Sequence, residues 1–128
     1  MTYHFSKTLD LVMDASVAKV TEALKAEGFG ILTEIDVQKT LKAKINVDFR
    51  PYRILGACNP GFAHQALLAE DKNGTMLPCN VIVQEHAPGK VEVSAVDPME
   101  SMKAIENPAL GAIAAQVREK LAGVIKAL

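Results

Sequence analysis

Apolar and polar residues alternate at the start of the chain. In YHFSKTLDL, Tyr3, Phe5, Lys7 and Leu9 share one face and His4, Ser6 and Thr8 the other. That period of two predicts a half-buried strand, with Lys7 interrupting its apolar side. The period then becomes helical. Val17, Val20 and Leu24 recur on one side while Lys19, Glu22 and Lys25 face away, which predicts a helix from an Asp14 cap through Glu27. Gly28 supplies the stop, because glycine takes a left-handed backbone cheaply. GILTEI reads as a second strand. Asp36 then caps a short helix, VQKTLKAKI, whose Val37, Leu41 and Ile45 are spaced four apart. YRILGA is a third strand, with Pro51 confined to its start.

The second half of the chain is punctuated by proline. Asn59-Pro60 places a capping residue and a first-turn proline at the start of a helix that should run to about Asp71, and Asn73-Gly74 marks the turn after it. CNVIVQEH and KVEVSAV are two strands joined by APG, the pattern of an antiparallel hairpin. Asp97-Pro98 closes the pair and begins one helical turn through Met102. Asn107-Pro108 opens the longest helix, with an apolar stripe of Leu110, Ile113, Val117, Leu121, Val124 and Leu128. Arg118, Glu119 and Lys126 lie mostly off the stripe, and Gly123 weakens the helix by about 1 kcal/mol. There is no repeat, low-complexity tract or linker. The expected architecture is one α+β domain over residues 1–128, a sheet of about five strands with helices mainly on one face.

Composition narrows the function classes. Of 128 residues, 49% are hydrophobic and 23% charged, which is globular rather than disordered. A chain of this length buries roughly two thirds of its unfolded surface, enough for a core without staples. Fourteen basic residues against fifteen acidic ones give a net charge of −1, which argues against a generic nucleic-acid or anionic-membrane surface. With no Trp and only 5% aromatics, a base-stacking platform is not expected. No apolar run is long enough to span a membrane. The N-terminal MTYHFSKTLDLVM lacks a basic start, an apolar centre and a small-residue cleavage site, so a cytoplasmic protein is expected.

Several segments together resemble a known family. GFGILTEIDVQKTLK, DFRPYRILGACNP, LLAEDKNGTMLPCNVIV and a late DP followed by an NP helix are similar to the bacterial and archaeal family called domain of unknown function 302. The most specific pieces are LGACNP at 55–60 and LPCNV at 77–81, and the likeness covers nearly the whole chain. The resemblance implies a TATA-box-binding-protein-like domain of β-α-β(4)-α type, assembled as a homodimer. It implies no function and no DNA binding, since fold likeness alone carries neither.

The two cysteines are the main candidates for chemistry. Cys58 precedes the Asn59 cap, where the positive end of a helix favours a thiolate; the competing reading is a small apolar residue at a strand end. Cys79 follows Pro78 at a strand start and reads equally as core. A repeated Asn neighbour, Asn59 and Asn80, accompanies them. A parallel crossover between the strands of the 50s and 80s would separate the sulfurs by about 15 Å, which excludes a bridge; an antiparallel arrangement would bring both to one edge. A meeting between subunits across a dimer axis is a third route, and a direct intrachain pair is not expected. His64, one and a half turns into the helix, is a candidate base or ligand, against a bland reading as a half-exposed helix residue. Met99 and Met102 add soft donors that with two thiols would suit copper(I), though methionines so spaced are commonly filler. His4 and His86 read as surface residues.

Lys39, Lys42, Lys44, Arg50 and Arg53 form a basic stretch that would frame an anion pocket or simply face solvent. Alternation puts Arg53, Leu55 and Ala57 on one face of their strand and Ile54, Gly56 and Cys58 on the other, so Arg53 does not neighbour the thiol. No carboxylate pair, phosphate loop or Ser-His-Asp pattern stands out. The leading functional expectation is a small ligand, sulfur species or soft metal bound through Cys58, with Asn59 aiming the helix amides, Cys79 and Asn80 lining the pocket, His64 nearby, and Cys58 and Cys79 as the metal ligands. The alternative is a dimerisation or regulatory module with structural cysteines. A third reading is an enzyme with Cys58 as nucleophile and His64 as base.

Overall fold

The computed structural model describes residues 2–128. In chain order the elements are β1 (His4–Leu9), α1 (Met13–Ala26), β2 (Gly30–Asp36), α2 (Val37–Ile45), β3 (Tyr52–Cys58), α3 (Pro60–Ala69), a 3-10 turn (Asp71–Met76), β4 (Cys79–Ala87), β5 (Lys90–Val96), α4 (Pro98–Ser101) and α5 (Pro108–Ala127). The strands form one sheet in the order β1-β5-β4-β3-β2, and every neighbouring pair is antiparallel. The expected β-α-β(4)-α skeleton is therefore present, with α2 and α3 inserted after β2 and β3. The right-handed parallel crossover expected between β3 and β4 is not. Instead α3 and the 3-10 turn return the chain to the end of β3 it left.

Alternation along β3, β4 and β5 sends Leu55, Val81, Val83, Val91, Val93 and Ala95 to one side of the sheet, all of them fully buried. Val20 and Leu24 of α1 and Val117, Leu121 and Val124 of α5 complete the same core. Each such Val or Leu stabilises the fold by about 1.5–3 kcal/mol. Lys7 stands in the apolar file of β1 for a reason outside the strand. Its Nζ donates to the carbonyl of Lys126 at 3.2 Å and to that of Leu128, so the stem lies along the sheet while the ammonium meets the unpaired carbonyls that end α5.

The caps read from the chain are mostly in place. Asp36 Oδ1 accepts from Lys39 N (2.9 Å), Asp97 Oδ1 from Met99 N (3.0 Å), and Asn107 Oδ1 from Ala109 N (3.1 Å). Two of these residues also tie helices together. Asp97, 6% exposed, accepts from Arg118 Nε of α5 at 3.0 Å, and Asn107 Nδ2 donates to Ala69 O at the end of α3 at 2.9 Å. Asp14 is a correction: α1 begins at Met13 behind Val12, and Asp14 instead pairs with Arg53 at 3.1 Å.

Gly56 shows how tightly β2, β3 and the start of β4 converge. A Cβ there would overlap Thr33 Oγ1 and lie 2.8 Å from Pro78 Cγ. Thr33 can rotate aside but the proline ring cannot. We expect Gly56→Ala to destabilise the protein by about 1–3 kcal/mol in urea unfolding, and Thr33→Ala to recover only part of that loss.

Candidate functional site

The antiparallel register of β3 and β4 decides the geometry around the cysteines. Ala57 lies directly opposite Cys79, so Cys58 ends β3 where β4 begins. The two thiols, both free, line one cavity of about 40 Å³. This corrects the expectation that the strands would hold them apart. The cavity lies between the sheet end, α3 and α5, and its walls are hydrocarbon: Phe29, Phe62, Ala66, Leu77, Ile113 and Val117. Apart from the thiols, Asn59 is its polar contributor. Met102 also lines it, whereas Met99 does not and is 40% exposed.

Cys58 is half-buried and Cys79 is 8% exposed. Burial, and secondarily the neighbouring Cys58, push the Cys79 thiol up to about 11. Near neutral pH Cys79 is therefore an uncharged thiol and must lose a proton before it attacks or ligates. The amides that open α3 are drawn to the cap rather than to sulfur. Asn59 Oδ1 accepts from Phe62 N at 3.4 Å and Asn59 O from Ala63 N at 2.9 Å. Gly28, with φ +84°, closes α1 against this cap: a Cβ there would lie 3.1 Å from Asn59 Nδ2.

Two residues named with the cysteines lie elsewhere. His64 is exposed on α3 and does not line the cavity. Asn80 follows Cys79 by one residue and so points to the opposite face of the sheet, where it is exposed. Among the described residues no group of three His, Cys, Asp or Glu side chains is placed to hold a metal. Arg53, as alternation suggested, sits five residues back and faces Asp14.

The cover of the cavity is thin. Ala66 is the buried residue of α3, while Leu67 and Leu68 are 41% and 75% exposed. A helix that buries so little apolar area opens at low free-energy cost. The wall supplied by Phe62 had no motif to announce it, whereas Leu77 opens the LPCNV piece and Met102 is one of the two soft methionine donors. Ile113 and Val117 were visible only as part of the α5 stripe.

Comparison with known proteins agrees with this architecture. A family model described as Domain of unknown function DUF302 matches residues 5–128. The chain belongs to that family. The crystal structure of an uncharacterized conserved DUF302 protein from Bacillus stearothermophilus is similar to it at 30% identity, covering 98% of each chain with a TM-score of 0.90. No functionally curated protein matches the chain. Among the described residues of this DUF302 chain, no helix is long and apolar enough to cross a membrane.

The buried thiol makes stability depend on alkaline pH. A pKa raised from 9.0 to about 11 on folding means the folded state holds its proton more tightly than the unfolded chain. That contribution is complete below pH 9 and is lost between pH 9 and about 11, amounting to about 2–3 kcal/mol. Urea unfolding of wild type and Cys79→Ala at about pH 8 and pH 11 should show the wild type losing more stability by roughly this amount. Equal losses would contradict the assignment.

Proposed function

We propose that this DUF302 protein binds a small uncharged apolar molecule in the cleft beneath α3, with the Cys58 thiol as its contact group. The observation that carries the reading is the lining: two thiols from adjacent strands in a wall otherwise made almost wholly of hydrocarbon. An ionic sulfur species would be desolvated there without a partner charge. A metal would have to displace a proton that burial holds on Cys79. An uncharged guest meets neither cost. At about 40 Å³ the partly open cleft admits a few atoms, so a larger guest requires α3 to swing outward. The test is alkylation of Cys58 by N-ethylmaleimide with and without dissolved toluene. Toluene should slow the reaction several-fold, and Ala63→Leu, which fills the cleft from the α3 side, should abolish the protection. An unchanged rate in the presence of toluene refutes the reading.

A second observation supports the homodimer. The stripe expected to bury α2 is in place but only partly covered: Val37 and Leu41 are half-buried, no residue of α2 is fully buried, and Ile45 is 63% exposed. Beside it, Leu32 and Ile35 of edge strand β2 are 67% and 47% exposed, with the register shifting between Ile31 and Thr33. An edge strand so exposed invites pairing with another strand. A second copy joined through β2 and α2 covers this corner on both partners at once, as an isologous interface requires. Light scattering should give the mass of a dimer, and Leu32→Glu with Ile45→Glu the mass of a monomer. A monomeric wild type excludes this interface.

A further inference from the structure

We propose that the face of the sheet turned away from α1 and α5 carries a second binding site, for a small organic anion anchored by Arg50. Gln84 and Ser94 alternate with core residues of β4 and β5 and so point to this outer face, yet each is only 8% exposed. They are sheltered because the face is hollowed into a groove of about 360 Å³, within the size range of small-molecule sites.

One end of the groove holds a cation in a fixed position. The Arg50 guanidinium lies 4.4 Å from the ring centre of Phe49 and 5.7 Å from that of Tyr52. Its Nε donates to Gln84 Oε1 at 2.9 Å, and Gln84 Nε2 in turn donates to Glu92 Oε1 at 3.4 Å. The neighbouring Gln84 therefore fixes the orientation of the guanidinium, and among the described residues no carboxylate pairs with it. Its terminal nitrogens are left for an incoming acceptor, with Nε already held by Gln84.

The rest of the groove suits an organic body behind that charged head. Ile82, opposite Ser94, and Val96, opposite His4, give an apolar floor. Asn80 and His4 offer polar groups at the far side. His4 Nδ1 is held 2.7 Å from Ser6 Oγ, which lies 2.7 Å from Ser94 Oγ. Glu92 limits where negative charge can sit. Its carboxylate is turned to Gln84 Nε2 and to His86 Nε2, each at 3.4 Å, so an anionic head belongs on the Arg50 side and the uncharged body above Ile82. A carboxylate or phosphate ester on a flat apolar frame meets all of these constraints.

The experiment is an NMR titration of the isotope-labelled full chain with benzoate, phenyl phosphate, inorganic phosphate and neutral benzamide. Saturable shifts at residues 80–84 and 92–96 are expected with one or both organic anions, and weaker binding of benzamide and inorganic phosphate. Arg50 is exposed, so Arg50→Gln leaves the fold intact and should weaken binding at least about tenfold. Glu92→Gln, which removes the neighbouring negative charge and keeps an oxygen acceptor for Gln84 Nε2, should tighten it. Ala63→Leu, which fills the separate cleft beneath α3, should leave it unaffected. No saturable shift with either organic anion, shifts centred elsewhere, or equal binding by Arg50→Gln overturns the proposal. Equal binding of inorganic and phenyl phosphate overturns its organic part.

Discussion

The antiparallel pairing of β3 with β4 is the constraint on which the rest of this molecule depends. Because Ala57 faces Cys79 across that pair, the end of one strand and the start of the next share a single location. The intervening segment must leave and return at the same end of the sheet, so α3 and the 3-10 turn form a cap over the strand ends instead of a crossover along the sheet. A cap of this kind has one side against the core and the other in water. It leaves room beneath it for a cavity, and the residues that border the cavity are those that any strand end under a helix would bring there: small side chains, phenylalanines and thiols.

The same pairing divides the molecule into two unlike halves. On one side of the sheet α1 and α5 press hydrocarbon against the strands, and two charged groups there are engaged, Lys7 at the carbonyl end of α5 and Asp97 between Arg118 and the start of α4, while Ser16 Oγ of α1 is buried without a partner. On the other side the side chains alternate between aliphatic and polar, and hydrogen bonds run between strands through Gln84, Glu92, Ser6 and Ser94. A buried polar group is costly unless it is bonded, and these are bonded to one another. The covered half supplies stability and the uncovered half supplies shape and charge.

How much of this could be read from the chain depends on the range of the interaction. Asp36, Asn59 and Asn107 were legible as caps because a cap bonds an amide two or three residues away, and Asp97-Pro98 was legible as the start of a helical turn. Asp14 misled for the opposite reason: a partner 39 residues distant, Arg53, takes its carboxylate. Strand identities were legible from alternation, but strand direction was not, since the pattern of a helix between two strands is the same whether the chain crosses over or doubles back. The proximity of the thiols followed from direction and so was lost with it. Adjacency in sequence was likewise a poor guide to the pocket. Asn80 repeats the dipeptide of Asn59 yet faces the other way, because a strand turns successive residues to opposite sides. Arg50 appeared as one member of a basic run, and only the fold separates it from Lys42, which pairs with Asp48, and from Arg53.

The position of β1 has a consequence for how the chain reaches this state. Among the described residues its sole strand neighbour is β5, and His4 is matched with Val96. During synthesis β1 emerges before β5 and must therefore wait, unpaired, until β5 has also been made. Closing so distant a contact is slow relative to the nearer β2–β3 and β4–β5 pairings. Until then the flank of β5 stays open to any other extended segment nearby, so the ribosome-bound chain is most exposed to mispairing along that strand.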